Sequence, residues 1–246
     1  MSEHRARCFV LARVASREND LRVSILTEHG ARLELLAHGA QRSGRRFPGG
    51  LMPLALYDAA WTESRRGLRL DDAQMVRAWP ALLGDLRRNT AAAVGSCIAN
   101  EVAEGEPGDS APFLLLGELF DDLSTADPSN AAGRLVRFTL ESLALSGVAV
   151  ALDRCVRCDT PAPDHALVTV DPREGGIVCR GCGGGPYRVT AADRAAIRAT
   201  LAPGGAPLDP ALIGVCAAVI RGVAEAVAGH LTRAEALFRV SGQVPK

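Results

Sequence analysis

Lysine is nearly absent from this 246-residue chain. Apart from Lys246, every basic side chain among its 28 Lys and Arg is an arginine. Arginine offers a planar fork to phosphate and stacks on flat rings, although genome composition produces the same bias. Aromatic residues make up only 4% of the chain, so few rings are on hand for stacking. Also missing are the G-x-x-x-x-G-K-[ST] phosphate loop, a G-x-G-x-x-G turn after a strand, and the H-E-x-x-H and G-x-S-x-G signatures. Their absence argues against nucleotide hydrolysis, dinucleotide binding and the metalloprotease or serine-hydrolase classes. Long apolar runs are lacking too. The stretch after Arg7 is broken at Arg13, and residues 215–231 contain Arg221 and Glu225. Neither a signal-peptide core nor a membrane span is expected, which points to a cytoplasmic protein.

The remaining candidates for catalysis are dispersed. His4, His29, His38, His165 and His230 form no cluster in the sequence, and each is expected at the surface. Asp121 and Asp122 are neighbours that would point in different directions from a helix, so they are expected on a solvated face rather than as an acid/base pair.

What is present is a four-cysteine pattern. Cys155 and Cys158 form one C-x2-C pair, and Cys179 and Cys182 form a second after a gap of twenty residues. Each C-x2-C turn points two sulfurs inward from one loop, and a tetrahedral Zn2+ takes four thiolates on bonds of about 2.3 Å. The gap leaves room for a hairpin that returns the second knuckle to the first. Four cysteines leave no open coordination position, so one structural Zn2+ is expected. A pair of redox motifs or disulfides is the competing reading. The odd cysteines, Cys8, Cys97 and Cys216, are expected to be small buried hydrophobes, a usage that suits a reducing compartment.

Periodicity divides the chain at about residue 80. Residues 7–13, 20–26, 31–37, 51–62 and 67–76 read as short strands, with a turn at Glu28-His29-Gly30 and another at residues 63–67. Five strands in about eighty residues is the count of a small Greek-key barrel of the OB type. Residues 39–50 are basic and glycine-rich and are expected to form an exposed loop, with Phe47 as its most exposed aromatic. Beyond Trp79-Pro80 the spacing becomes helical over residues 81–102, from Pro112 to about Leu123, and from Asp127-Pro128 to a stop at Gly147. Thr190 to Asp193 reads as a capped helix start, and residues 209–230 as a long apolar helix. The expected architecture is therefore α+β: a barrel over 1–80, then a helical domain over 81–246 with the cysteine ribbon at about 152–187.

Net charge is zero, but its distribution is uneven. Residues 1–80 carry 13 Arg against 9 Asp and Glu, and the rest carries the opposite excess. Arg42, Arg45 and Arg46 in the loop, with Arg65 and Arg66 in the second turn and Arg13 and Arg17 as outliers, are candidates for a groove that tracks phosphates. Solubilising a loop is the other account of the same residues.

Residues 32–42 (Arg32-Leu33-Glu34-Leu35-Leu36-Ala37-His38-Gly39-Ala40-Gln41-Arg42), Leu51-Met52-Pro53-Leu54, and Leu143-Ala144-Leu145-Ser146-Gly147 leading to Asp153-Arg154-Cys155 resemble the bacterial recombination mediator family RecO. So does Gly175-Gly176-Ile177-Val178-Cys179-Arg180-Gly181-Cys182. The resemblance covers essentially the whole chain and implies an OB domain joined to a helical domain with a zinc ribbon. It further implies binding of single- and double-stranded DNA, annealing of complementary strands and cooperation with RecR. With RecR the protein would help RecA displace single-strand binding protein, whose acidic C-terminal tail such proteins bind. Members often carry lysine where His38 stands, which would make a DNA contact there depend on protonation. Arg134 and Arg137, beside Phe138 and Leu140, are candidates for the tail pocket. They also read as part of an ordinary amphipathic helix. A zinc-containing enzyme, a thiol redox switch and an adaptor that touches no DNA are the alternatives from other classes.

Overall fold

In a computed structural model, residues 2–16, 18–65, 67–103, 108–147, 150–171 and 174–201 are described. Two compact units divide the chain at Thr125/Ala126. The expected helix over 209–230, with Cys216 and His230, lies outside the described residues, as do Arg17 and Arg66.

Alternation of apolar and polar side chains builds the first unit. Its strands are β1 (Ser2–Ala15), β2 (Leu21–Thr27), β3 (Arg32–Ala37), β4 (Ala55–Ser64) and β5 (Gly67–Ala78). They close into a barrel in the order β1-β2-β3-β5-β4, with β3 and β5 parallel and the other pairs antiparallel. Along β4, Ala55, Tyr57, Ala59 and Trp61 all point inward and are buried, as period two requires. Register shifts at Val10/Ala12 in β1, and at Leu56/Tyr57 and Ala60/Trp61 in β4, supply the local bends that a narrow barrel needs.

Strand β2 departs from alternation, because Ser24, Leu26 and Thr27 are buried as well as Val23 and Ile25. Helix α2 (Leu86–Val102) explains this by packing on β1 and β2 from outside, where the Ser24 hydroxyl donates to Asn100 Oδ1 at 2.6 Å. Helix α3 (Ala111–Thr125) adds Phe113 and Phe120 to an aromatic cluster with Phe9 and Trp79. The helical stretch expected over 81–102 is in fact two helices, α1 (Pro80–Gly84) and α2. Asp85 interrupts it with an extended backbone and caps α2 by accepting from the N–H groups of Arg87 and Arg88.

The second unit sets a four-stranded sheet beside helices. Asp127 caps a 3-10 turn, and α4 (Ala131–Leu145) follows and stops before Gly147, whose φ is 77°. The sheet order is β6 (Ala151–Cys155), β8 (Gly176–Ile177), β7 (Val168–Asp171), β9 (Tyr187–Val189). Helix α5 (Ala191–Leu201) begins with a reciprocal capping box, Thr190 N donating to Asp193 and Asp193 N to Thr190 Oγ1, both at 3.1 Å. Val136, Leu140 and Leu143 of α4, Leu152, Val170 and Ile177 of the sheet and Ile197 of α5 share one core. The ribbon is thus held by helices on both sides in sequence, an α+β arrangement. No helix among the described residues is long and apolar enough to cross a membrane.

Candidate metal centre and nucleic-acid interface

Strand β6 delivers Cys155 at its end, and a tight turn brings Cys158 back, closed by Asp159 N donating to Cys155 O at 2.9 Å. Asp159 takes the left-handed conformation this turn demands (φ 59°), and its carboxylate is gripped by Arg154 through both oxygens, at 2.6 and 2.8 Å. The second knuckle repeats the design. Cys182 N and Gly184 N both donate to Cys179 O, with Gly183 at φ 102°. Arg157 joins the two, donating to Cys182 O and to Glu174 at 2.8 Å each.

The four sulfurs lie within 4.8 Å of one another, and Cys158 and Cys179 are 3.7 Å apart. A tetrahedron with Zn–S bonds of about 2.3 Å has edges of about 3.8 Å, so the spacing fits a thiolate-bound metal ion. Protonation points the same way. The Cys179 N–H donates to Cys155 Sγ and holds that thiol down at about 6 against an ordinary 9.0, and Cys158 is lowered by Thr160. Cys182 is pushed up to about 12, chiefly by sharing its proton with Cys158 and Cys179. Four adjacent sulfurs do not all ionise without a cation among them, and a divalent ion supplies that charge. The cluster can hold a metal ion. Arg154, Arg157 and Thr160, which position its loops, were not distinguishable in the sequence from ordinary surface residues.

Cys8 is a buried barrel residue whose thiol burial pushes up to about 12, as expected of a small hydrophobe. Cys97 corrects that expectation, since it is exposed on α2.

On the barrel, the loop over 39–50 is pinned rather than loose. Phe47, expected to be exposed, is 1% exposed and belongs to the barrel core with Ala40 and Leu51. One apolar ring in a polar loop gains more from entering the barrel than from facing water. Arg46 O accepts from Ala73 N of β5 at 3.0 Å, and the Arg46 guanidinium donates to His38 O at 2.6 Å. Anchored in this way, the loop displays Arg42, Arg45 and Arg46 to solvent.

Two grooves flank it, and Ser43 is the one described residue common to both. Arg13 and Arg42 line the first, with Gly44, Gly49 and Gly50, and no described carboxylate faces them there. Arg45 and Arg46 line the second, where Asp71 and Asp72 are held by Arg69 and Arg5 at 2.7 and 3.4 Å. Among the described residues, Arg13, Arg42, Arg45, Arg46 and Arg65 have no carboxylate partner. Arg65 stands apart at the β4–β5 turn. Gly67 is six residues along β5 from Ala73, or about 20 Å at the usual strand rise. His38 is engaged already, its Nδ1 lying 3.0 Å from Asp20.

In α4, Phe138 and Leu140 are buried, and Arg137 is paired with Glu141 at 3.0 Å. Arg134 is half-buried beside them.

A closed five-stranded barrel of OB order, followed in sequence by helices and a four-cysteine cluster that can hold a metal ion, defines a class of small α+β protein. Residues 1–79 match the family model for the recombination protein O N terminal, and residues 83–225 that for the recombination protein O C terminal. The chain belongs to the RecO family, whose members are named for DNA repair. DNA repair protein RecO of Anaeromyxobacter sp. (strain K) is 36% identical over 182 residues, covering 73% of this chain and 70% of the relative. The RecO proteins of Gloeobacter violaceus (30% identical over 181 residues, 73% of this chain and 68% of the relative) and Syntrophus aciditrophicus (27% over 182, 73% and 69%) are also similar to it.

Proposed function

We propose that this protein is a non-enzymatic mediator of DNA repair and homologous recombination. It binds single- and double-stranded DNA on the barrel, anneals complementary strands, and with RecR helps load RecA onto strands coated by single-strand binding protein. The observation that carries the reading is the pair Arg13 and Arg42 in a groove with no described carboxylate, on the barrel of a RecO-family chain. Phosphates there would meet unneutralised guanidinium groups and glycine backbone. Arg45, Arg46 and, further along, Arg65 would extend the track. Arg17 and Arg66, outside the described residues, are proposed as further phosphate contacts on their sequence positions alone.

Annealing on such a surface needs no covalent step. Two strands are concentrated on a basic face, their repulsion falls, and base pairing supplies the free energy. The metal is Zn2+ in this reading, bound by Cys155, Cys158, Cys179 and Cys182, and it serves to hold two loops that have no apolar core of their own. The tail of single-strand binding protein, acidic and apolar, would meet Arg134 and Arg137. With Phe138 and Leu140 buried, that contact would be mainly electrostatic. The protein would act in the cytoplasm, at the nucleoid.

The test is annealing of two complementary strands at low and moderate salt, bare or coated with single-strand binding protein. Acceleration on coated strands, lost at high salt and in the Arg13→Ala/Arg42→Ala double variant, is the expected result. Zinc-loaded, folded protein that accelerates neither would refute the mediator role and favour an adaptor.

A further inference from the structure

The arginine loop separates two grooves of different chemistry. The first carries charge of one sign, from Arg13 and Arg42, among neutral side chains and glycine backbone. The second sets four arginines against three carboxylates, so it is close to neutral and offers donors and acceptors side by side. Arg5 and Arg69 are paired with Asp72 and Asp71 there, while Arg45 and Arg46 have no carboxylate partner among the described residues and stay open to one phosphate. The groove suits a group that donates and accepts in one plane.

A ring lies in the same groove. His4 and Trp61 are directly opposed partners on β1 and β4, so their side chains share a face, and Trp61 belongs to the barrel core. Their rings stack with centroids 5.6 Å apart and planes 13° from parallel. Trp61 is only 8% exposed, while the His4 side chain is 43% exposed, so the imidazole covers the indole at the barrel mouth and keeps its other face outward. His4 is steadied by Ser2 Oγ at 3.1 Å and stands 3.8 Å from Glu63.

Resting on the DNA-binding reading above, we propose that the groove beside Arg45 and Arg46 receives an unpaired nucleobase, stacked on the outer face of His4, while the Arg13–Arg42 groove holds backbone phosphate. The base adds a third ring to the His4–Trp61 stack. Asp71 or Asp72 accepts from its exocyclic amino or ring N–H group, N3–H in the case of thymine, as carboxylates do on base edges. Arg45 and Arg46 hold the phosphate attached to it. The loop thus turns one strand so that its backbone lies on one side of Ser43 and a base on the other. A base held in this way is kept out of its own strand's stack and open to a partner strand.

The experiment compares an oligothymidylate of about 12 nucleotides, a length within the span of one OB fold, with an abasic oligomer of equal length and charge. Both are titrated into the full zinc-loaded chain. His4→Ala should weaken the oligothymidylate by about five- to 150-fold, the range of one stacked base, and leave the abasic oligomer unchanged. Arg42→Ala should weaken both alike and lower the salt slope of each by about 0.7. As a second readout, 2-aminopurine placed within the oligothymidylate should lose emission on binding to the wild-type chain and keep it with His4→Ala. Equal binding of both oligomers by the wild type, or an equal loss on both in His4→Ala, would overturn the base pocket and leave DNA binding standing. Failure of the wild type to bind either oligomer would remove the DNA-binding reading itself.

Discussion

The indole Nε1 of Trp79 donates to Asp121 Oδ1 at 2.7 Å, tying the end of the barrel to α3. The Arg77 guanidinium lies over the same indole, 4.5 Å from its centroid, and bonds the same carboxylate. Asp121, expected on a solvated face, is half-exposed and is also the acceptor that satisfies a buried tryptophan. The ion pair is half-exposed on both sides and adds little. Most of the cost of Asp121→Ala should come from the orphaned indole N–H, about 1–3 kcal/mol. A thermal melt should show the first unit losing several degrees, and Asp121→Asn, which keeps an acceptor, should recover much of it.

Gly30 makes a second long-range demand. It closes the β2–β3 turn at φ 80°, and a Cβ placed there would lie 1.9 Å from Asp109 O. The same turn receives Gly108 N on His29 O at 3.0 Å. Gly30→Ala should therefore cost more than about 2 kcal/mol, combining left-handed strain with displacement of the 108–109 segment. Gly67, at φ 108° with nothing within 4 Å of an added Cβ, is the control. Gly67→Ala should show the backbone cost alone, and urea denaturation of the two variants separates the contributions.

These two sites mark where the sequence stops being readable. The five strands, the stop at Gly147, the capping box of Thr190 and Asp193 and the metal cluster all follow from spacing within a few residues or from a repeated C-x2-C turn. Each rests on local physics, so each was legible. The turn at Gly30 was legible too, but the approach of Asp109 to it and the bond from Trp79 to Asp121 were not, because those partners lie 79 and 42 residues away along the chain. Phe47 failed for a related reason. Loop composition describes the segment as exposed, and only the barrel it caps explains why its single ring turns inward. The His4–Trp61 pair needed the β1–β4 register, which no local pattern supplies.

The thiol shifts give the metal site a direction with pH. Cys155 is held at about 6 in the folded ribbon against an ordinary 9.0, so its thiolate stabilises the fold. That contribution is complete above pH 9 and is lost as pH falls through about 6. A bound metal ion competes with the same protons, so metal content per chain should drop on acidification toward and below that value. Cys155→Ser or Cys179→Ser should abolish stoichiometric metal and loosen the ribbon to proteolysis, while Cys97→Ser should leave metal content unchanged. Elemental analysis of the purified variants, with a chelator titration followed by circular dichroism, checks both statements. Retention of a full metal equivalent by Cys155→Ser would mean that the four sulfurs are not the ligand set.

Arg65 gives the last prediction, from distance rather than charge. It is exposed and, like Arg42, has no carboxylate partner among the described residues, but the β4–β5 turn puts it about 20 Å along β5 from the point where the arginine loop is anchored. A strand short enough to fill only the groove beside Arg42 cannot neutralise both. Arg42→Ala should then weaken oligonucleotides of every length, whereas Arg65→Ala should matter only once the strand is long enough to reach the turn. Each lost contact should lower the salt slope by about 0.7 for a single strand. Fluorescence anisotropy across a length series resolves the two variants. If Arg65→Ala weakened the shortest bound oligonucleotide as much as Arg42→Ala did, the strand would have to run from the β4–β5 turn across the barrel mouth, and the Arg13–Arg42 groove would lose its place as the entry point.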